Sequence, residues 1–228
     1  MSKPEKWEVE KFRSLLNRFG IELSWDQTHK VDIFLDELEE WSKKFNLTGL
    51  SSRQSIINEL LIDSMMPAPY IPDKGNLLDI GSGAGFPAIP IKICKPGLQC
   101  QLMEPNSKKI SFLKQVIRLA DLEKVAVIKG RIGEEESLLH PEGYDVITSR
   151  GLAPLPRFLT WGAPHLAPGG LIVAFLGSQS EEALKKSADV IRKHNLFLFK
   201  SISYSLSGKS SERNLLILKR RGNKTSPG

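Results

Sequence analysis

Apolar positions along the first third of the chain recur at three- and four-residue steps. Val31, Phe34, Leu35, Leu38, Trp41 and Phe45 make one such stripe, and Asp36, Glu37, Glu39, Glu40, Lys43 and Lys44 fall on the opposite side. This is the pattern of an amphipathic helix with one buried face. Ser24 followed three residues later by Gln27 has the spacing of a capping box and marks the helix start. A shorter helix is expected from about Trp7 to Phe19, ended by Gly20, and another over Gln54 to Met65. Pro67, Pro69 and Pro72 stop the latter and mark a linker. Asn46-Leu47-Thr48, directly after the long helix, reads as a chain turn.

Beyond Gly75 the pattern changes. Strand-like runs appear at Leu77–Ile80, Gln99–Met103, Val125–Ile128, Tyr144–Thr148 and Leu171–Leu176, with helical patterns between most of them, such as Lys108–Ala120. Alternating strands and helices predict an α/β fold, a mostly parallel sheet covered on both faces. Ser180–His194 reads as a further helix. Phe197–Tyr204 and Asn214–Lys219 read as a closing strand pair around Ser207–Ser211. The organisation expected is a helical extension over 1–72, an α/β domain over 73–219 and a basic tail over 220–228 without fixed structure.

The first of these strands carries the sharpest chemical signal. Leu77-Leu78-Asp79-Ile80 ends in Gly81-Ser82-Gly83-Ala84-Gly85-Phe86-Pro87. Glycines at alternate positions let a turn take positive φ and lie close to a ligand. A helix beginning beyond them would present free N–H groups. The spacing is G-x-G-x-G, whereas the dinucleotide fingerprint is G-x-G-x-x-G, and its third position is here Phe86. That favours S-adenosylmethionine (SAM) over NAD or FAD. Phe86 is either a cleft wall or core.

In an open α/β sheet, ligands bind at the carboxyl ends of the strands. Glu104 ends the second strand, 23 residues after Gly81, where a carboxylate can accept bonds from both ribose hydroxyls. The third strand ends at Lys129-Gly130-Arg131-Ile132-Gly133. That stretch is either a plain loop or a bracket for adenine, with Ile132 stacked on the ring. The fourth ends near Arg150, which suits a methionine carboxylate, an RNA phosphate or a structural ion pair. Lys108, Lys109, Arg213, Lys219, Arg220, Arg221 and Lys224 are candidates for a phosphate-binding rim, or are simply solvated charges.

Composition narrows the classes. The 228 residues carry a net charge of +6, which suits a polyanionic partner. The longest apolar run, Leu171 to Leu176, is too short to span a membrane, and the N-terminus lacks an apolar signal core. The cytoplasm is the expected location. Cys94 and Cys100 form no C-x-x-C pair and read as reduced thiols. The four histidines are scattered, so no metal is expected.

Taken together, the chain resembles the glucose-inhibited division protein B family. The resemblance runs from Trp41 to Lys219. It rests on Trp41 with Phe45-Asn46-Leu47-Thr48, on Leu61-Ile62-Asp63-Ser64, and on the glycine turn with Phe86-Pro87-Ala88-Ile89-Pro90. Lys108-Lys109, Phe112-Leu113, Gly130-Arg131, Ser149-Arg150 and Glu212-Arg213 continue it. The resemblance implies a class I SAM-dependent methyltransferase fold, Rossmann-like and seven-stranded, acting on N7 of a guanine in 16S ribosomal RNA of the small subunit. It implies cofactor contacts at Gly81, Phe86, Ile132, Gly133 and Arg150, beside Asp79, Gly83, Gly85 and Glu104. Asn46, Lys108, Lys109, Arg150 and Arg213 are the candidate RNA contacts. No catalytic base and no metal are expected. Leu60, Glu104-Pro105, Gly151 and Leu176 depart from the family's usual residues. Methylation of another RNA site, a protein or a small molecule therefore stays open, as does SAM binding without catalysis.

Overall fold

The computed structural model describes residues 6–50, 52–134, 138–206 and 212–222. The chain opens with α1 (Lys6–Asn17) and α2 (Trp25–Ser42), then α3 (Arg53–Ile56), a π-helical turn (Ile57–Leu61) and α4 (Ile62–Met65). The predicted capping box is formed at α2: the Ser24 side chain accepts from the N–H of Gln27, whose side chain accepts from the N–H of Ser24. The predicted stripe is the buried one, with Val31, Phe34, Leu35 and Leu38 inside. The acidic face is not all wet. Arg53 gathers Asp32, Asp36 and Glu39 with N–O distances of 2.7–3.2 Å.

Seven strands follow: β1 (Gly75–Ile80), β2 (Leu98–Glu104), β3 (Val125–Lys129), β4 (Tyr144–Arg150), β5 (Leu166–Leu176), β6 (Leu196–Tyr204) and β7 (Arg213–Arg220). The order across the sheet is β3-β2-β1-β4-β5-β7-β6. The first five strands pair in parallel, and β7 runs antiparallel to both β5 and β6. The order reverses between β1 and β4, which places a switch point beside the glycine turn.

Alternate residues of each strand feed two cores. Leu77, Leu102, Val146, Val173 and Ile217 pack with the N-terminal helices, α5 (Ala88–Cys94) and α6 (Ser107–Leu119). Leu78, Met103, Ile147, Ile172 and Leu216 pack on the other face with α7 (Leu155–Gly162), α8 (Ser180–Lys186) and α9 (Ala188–Lys193). The core on the first face is continuous. Phe34 of α2 meets Phe86 with ring centroids 5.0 Å apart, and Trp41 meets Phe112 edge-on at 5.7 Å. The N-terminal helices therefore share one core with the sheet.

Three details differ from the sequence pattern. The helix expected over Ser180–His194 breaks at Ser187, whose hydroxyl donates to the carbonyl of Ala183. The helix over Gln54–Met65 contains the π turn. The tail was expected to join a phosphate rim, but the antiparallel course of β7 carries Lys219, Arg220 and Arg221 to the amino end of the sheet: Lys219 pairs with Leu171, and Arg220 donates to the carbonyl of Leu166. The Ser207–Ser211 turn, Met1–Glu5 and the tail beyond Gly222, Lys224 included, lie outside the described residues. Among the described residues no helix is long and apolar enough to cross a membrane, and no group of three His, Cys, Asp or Glu is placed to hold a metal ion. Cys94 and Cys100 are free thiols, both pushed up to about 12 by burial.

Candidate functional site

The glycine turn leaves β1 along the carboxyl edge of the sheet. Gly81, Gly83 and Gly85 all have positive φ, at 75°, 57° and 85°. Main-chain N–H groups of Gly81 and Ser82 donate to the carbonyl of Met103, so the turn is fastened to β2. The three glycines differ in what they face. A Cβ on Gly85 would meet Ile89 at 2.7 Å, so this glycine serves helix packing. A Cβ on Gly81 would meet Leu152 at 2.9 Å. A Cβ on Gly83 would make only ordinary contacts, with the Gly81 carbonyl oxygen at 3.9 Å and Lys109 Nζ at 4.0 Å. Gly83 is therefore where the main chain of this turn is open to a ligand.

Glu104 is 5% exposed and fixed at the same place. Its Oε2 accepts from the N–H of Gly83 and its Oε1 from the N–H of Asn106, both at 2.9 Å. A carboxylate offers about four acceptor positions, so two remain for a ligand diol. Asp79 pairs with Leu102, two residues before Glu104, and is fully buried. Its Oδ1 accepts from Thr148 Oγ1 at 2.6 Å, while its Oδ2 has no partner. Burial pushes this carboxyl up to about 6, against the Thr148 and Ser82 hydroxyls, which favour the ionised form. A cavity of about 420 Å³ opens alongside, between Gly81, Met103 and Pro105 on one wall and Gly130, Arg131 and Ile132 on another. Leu152, Arg157 and Trp161 close it from the α7 side. Ile132 lines this cavity. Gly133, with φ 88°, turns the chain just beyond it.

Other candidates land elsewhere. The Phe86 ring is core, packed on Phe34, which leaves only its main chain for a ligand. Asn46 is exposed, and its side chain accepts from the N–H of Gly49, so it shapes the turn after α2. Lys108 and Lys109 open α6, capped by Asn106; Lys108 lies over the Phe45 ring at 4.7 Å. Lys109 reaches toward Gly83, nearer the glycine turn than an outer rim.

Arg150 and Arg213, expected as ligand contacts at the cleft, converge on a residue not singled out for chemistry, Asp63 of α4. Arg150 Nη2 lies 2.9 Å from Asp63 Oδ2, and Arg213 Nη1 lies 3.3 Å from it. The Tyr204 hydroxyl donates to Oδ1. Both arginines also donate to the carbonyl of Glu59, in the π turn, at 2.7 and 2.6 Å. Burial holds the Arg150 guanidinium below its ordinary range, and burial with the Asp63 charge pushes the Tyr204 hydroxyl up. Arg150 thus makes an ion pair with Asp63 through one nitrogen. Its Nη1 is buried with no partner. The sequence did hold a signal for Asp63, since it lies in the Leu61-Ile62-Asp63-Ser64 segment. Spacing alone gives no link between that segment and strand ends 87 and 150 residues further on.

These residues suit a SAM-like ligand. The open Gly83, the acceptor capacity left on Glu104, the unpartnered Asp79 Oδ2 and the cavity by Ile132 match a nucleoside with a charged amino-acid arm.

Comparison with known proteins follows the same line. The family model described as rRNA small subunit methyltransferase G matches residues 27–215. A ribosomal RNA small subunit methyltransferase G of Desulfitobacterium hafniense is 35% identical over 211 residues, covering 92% of this chain and 87% of that protein. The protein of the same name from Geobacter sp. is 32% identical over 201 residues, covering 88% and 92%. Among solved structures, a methyltransferase from Pyrococcus furiosus covers 85% of this chain and 99% of its own, with a TM-score of 0.57 at 16% identity. M. jannaschii TYW2 in complex with AdoMet has a TM-score of 0.57 at 16% identity, covering 69% and 73%. The solved structures show the shared fold, a class I methyltransferase sheet.

Proposed function

Because this chain belongs to the rRNA small subunit methyltransferase G family, we propose that it transfers a methyl group from SAM to N7 of a guanine in 16S ribosomal RNA, in the cytoplasm. The observation that carries the reading is the bond that fixes Gly83 to Glu104, next to a cavity of about 420 Å³ lined by their chain neighbours Gly81, Met103 and Pro105.

SAM, when bound, supplies a methyl group made electrophilic by its sulfonium. Glu104 holds the ribose hydroxyls with the acceptor positions that Gly83 and Asn106 leave free. Gly83, having no side chain, lets the ligand lie against the main chain. Ile132 covers one face of the adenine. Asp79, through its unpartnered oxygen, attracts the positive amino-acid arm, and Lys109 lies close enough to face the opposite charge.

Guanine N7 offers a lone pair and carries no proton. A bond forms from N7 to the methyl carbon, the sulfur–carbon bond breaks with its electron pair staying on sulfur, and positive charge passes to the base. No residue has to take a proton, so no general base is required. The chain's work is to hold the reacting atoms in line at about 3 Å and to keep water out. Exposed cations, Lys108 among them, meet the RNA phosphates.

Incubating the chain with labelled SAM and purified small ribosomal subunits tests this. Label is expected in 16S RNA, and strand cleavage at N7-methylguanine followed by primer extension is expected to stop at one guanine. Label in no RNA, or at a position resistant to that cleavage, would overturn the proposal.

A further inference from the structure

A second cavity lies on the far side of the segment that follows β4. Leu152 of this segment lines the cavity beside Gly81, and Pro154, Leu155 and Pro156 line another of about 410 Å³. Leu176, at the carboxyl end of β5, completes its apolar walls. Both cavities therefore open on the same edge of the sheet, at the ends of neighbouring strands. Its volume falls in the usual range for small-ligand sites, about 300–1,000 Å³.

The polar side comes from α8, along its whole length. Gln179, Glu182 and Lys186 line the cavity at three- and four-residue spacing, so they share a helix face. Glu182 and Lys186 are exposed at the surface and pair at 2.6 Å. The Lys186 ammonium holds the Glu182 carboxyl below the usual carboxylate range, so it is ionised at neutral pH.

We propose that this second cavity receives the target guanine, with Glu182 reading its Watson–Crick edge. The inference rests on the methyltransferase reading above. Guanine presents two adjacent donors on that edge, N1–H and N2–H, which a carboxylate accepts side by side. Adenine and cytosine each place an acceptor beside their one donor group, and uracil flanks its donor with acceptors. Gripping N1 and N2 leaves N7, across the ring, free to face the cofactor cavity. The proline and leucine walls offer flat apolar surface to a base taken out of its stack. The carboxylate's charge also complements the positive charge the base gains on methylation. The guanine's O6 then falls to the Gln179 amide or to Lys186, released from its ion pair.

The test is steady-state methyl transfer to purified small ribosomal subunits by Glu182→Ala, Glu182→Gln and Glu182→Asp, at saturating SAM. SAM affinity is measured by calorimetry and folding by thermal melting. Losing a paired carboxylate is expected to lower kcat/KM for the subunit about 10- to 100-fold in the alanine and glutamine variants. The aspartate variant is expected to recover part of the loss, and SAM affinity and melting are expected to be unchanged. Wild-type kcat/KM in the alanine and glutamine variants would overturn the guanine pocket while leaving methyl transfer by the unaltered chain intact. An equal loss of SAM affinity would also overturn it. Failure of the unaltered chain to modify N7 would instead overturn the reading beneath it.

Discussion

Glu104 Oε2 accepts the main-chain N–H of Gly83 at 2.9 Å, so the end of β2 and the apex of the glycine turn form one rigid unit. A carboxylate here both builds the turn and faces the ligand. Substituting it should therefore disturb two properties together. Glu104→Ala leaves the N–H groups of Gly83 and Asn106 unpaired and is expected to cost about 1–3 kcal/mol of stability. SAM affinity is expected to fall about 10- to 100-fold, since bonds to a charged group are worth about 1.5–3 kcal/mol. Chemical denaturation and calorimetry read the two effects; loss of stability with unchanged affinity would remove Glu104 from the ligand site.

Gly83→Val tests the same place from the other side. The nearest atoms to a new Cβ there are about 4 Å away, so the fold has room for it, but φ is 57°. A β-branched residue in that conformation costs roughly 1–3 kcal/mol. The larger effect is expected on the cofactor, with no SAM binding measurable by calorimetry in a chain that still melts cooperatively. Unchanged affinity would contradict close main-chain approach.

Asp63 is expected to matter more to the fold than either arginine it holds. Its side chain is 4% exposed, against 17% and 18% for Arg150 and Arg213. Asp63→Ala takes from two largely buried guanidiniums the carboxylate they share, leaving them the Glu59 carbonyl, and is expected to cost about 3–5 kcal/mol. Arg150→Ala leaves Asp63 with Arg213 and Tyr204 and is expected to cost less in urea unfolding. It should also weaken SAM or RNA binding by about 1.5–3 kcal/mol. Equal destabilisation by both substitutions would contradict the central place of Asp63.

Asp79 predicts a pH dependence. Its carboxyl takes a proton near pH 6 in the folded chain and near 3.8 when unfolded. The folded state therefore binds that proton first. Burying the charge costs stability above pH 6, and the cost is relieved as pH falls from 6 toward 3.8. Two pH units correspond to about 3 kcal/mol. Asp79→Asn lacks this contribution, so its stability relative to the unaltered chain should be greatest near pH 7 and shrink by pH 4. Urea midpoints across that range check it; parallel profiles would contradict the buried, half-satisfied carboxylate.

Much of this was legible in the sequence because it is local. The capping box at Ser24, the buried stripe of α2, the strands (β5 apart, which starts five residues before the expected Leu171) and the positive φ values of the glycine turn all follow from spacing within a few residues. The glycines could not be told apart, because Ile89, Leu113 and Leu152 decide what each one meets. Phe86 kept two readings until Phe34 was brought against it. Spacing groups the basic residues at the chain's end with the cleft because it does not give the direction of β7, which runs antiparallel to β5. Asp63 escaped notice as a hub for the same reason: its partners Arg150, Tyr204 and Arg213 come from three strands that only the completed sheet brings to one place. The helix α7 and the two cavities beside it were also invisible, since cavities belong to no single segment.

Calorimetric titration of the unaltered chain with SAM, alongside NAD, tests the central claim most directly. One SAM bound per chain and no heat from NAD is the predicted result. No heat from SAM, or binding of NAD in its place, would contradict the assignment of the glycine turn.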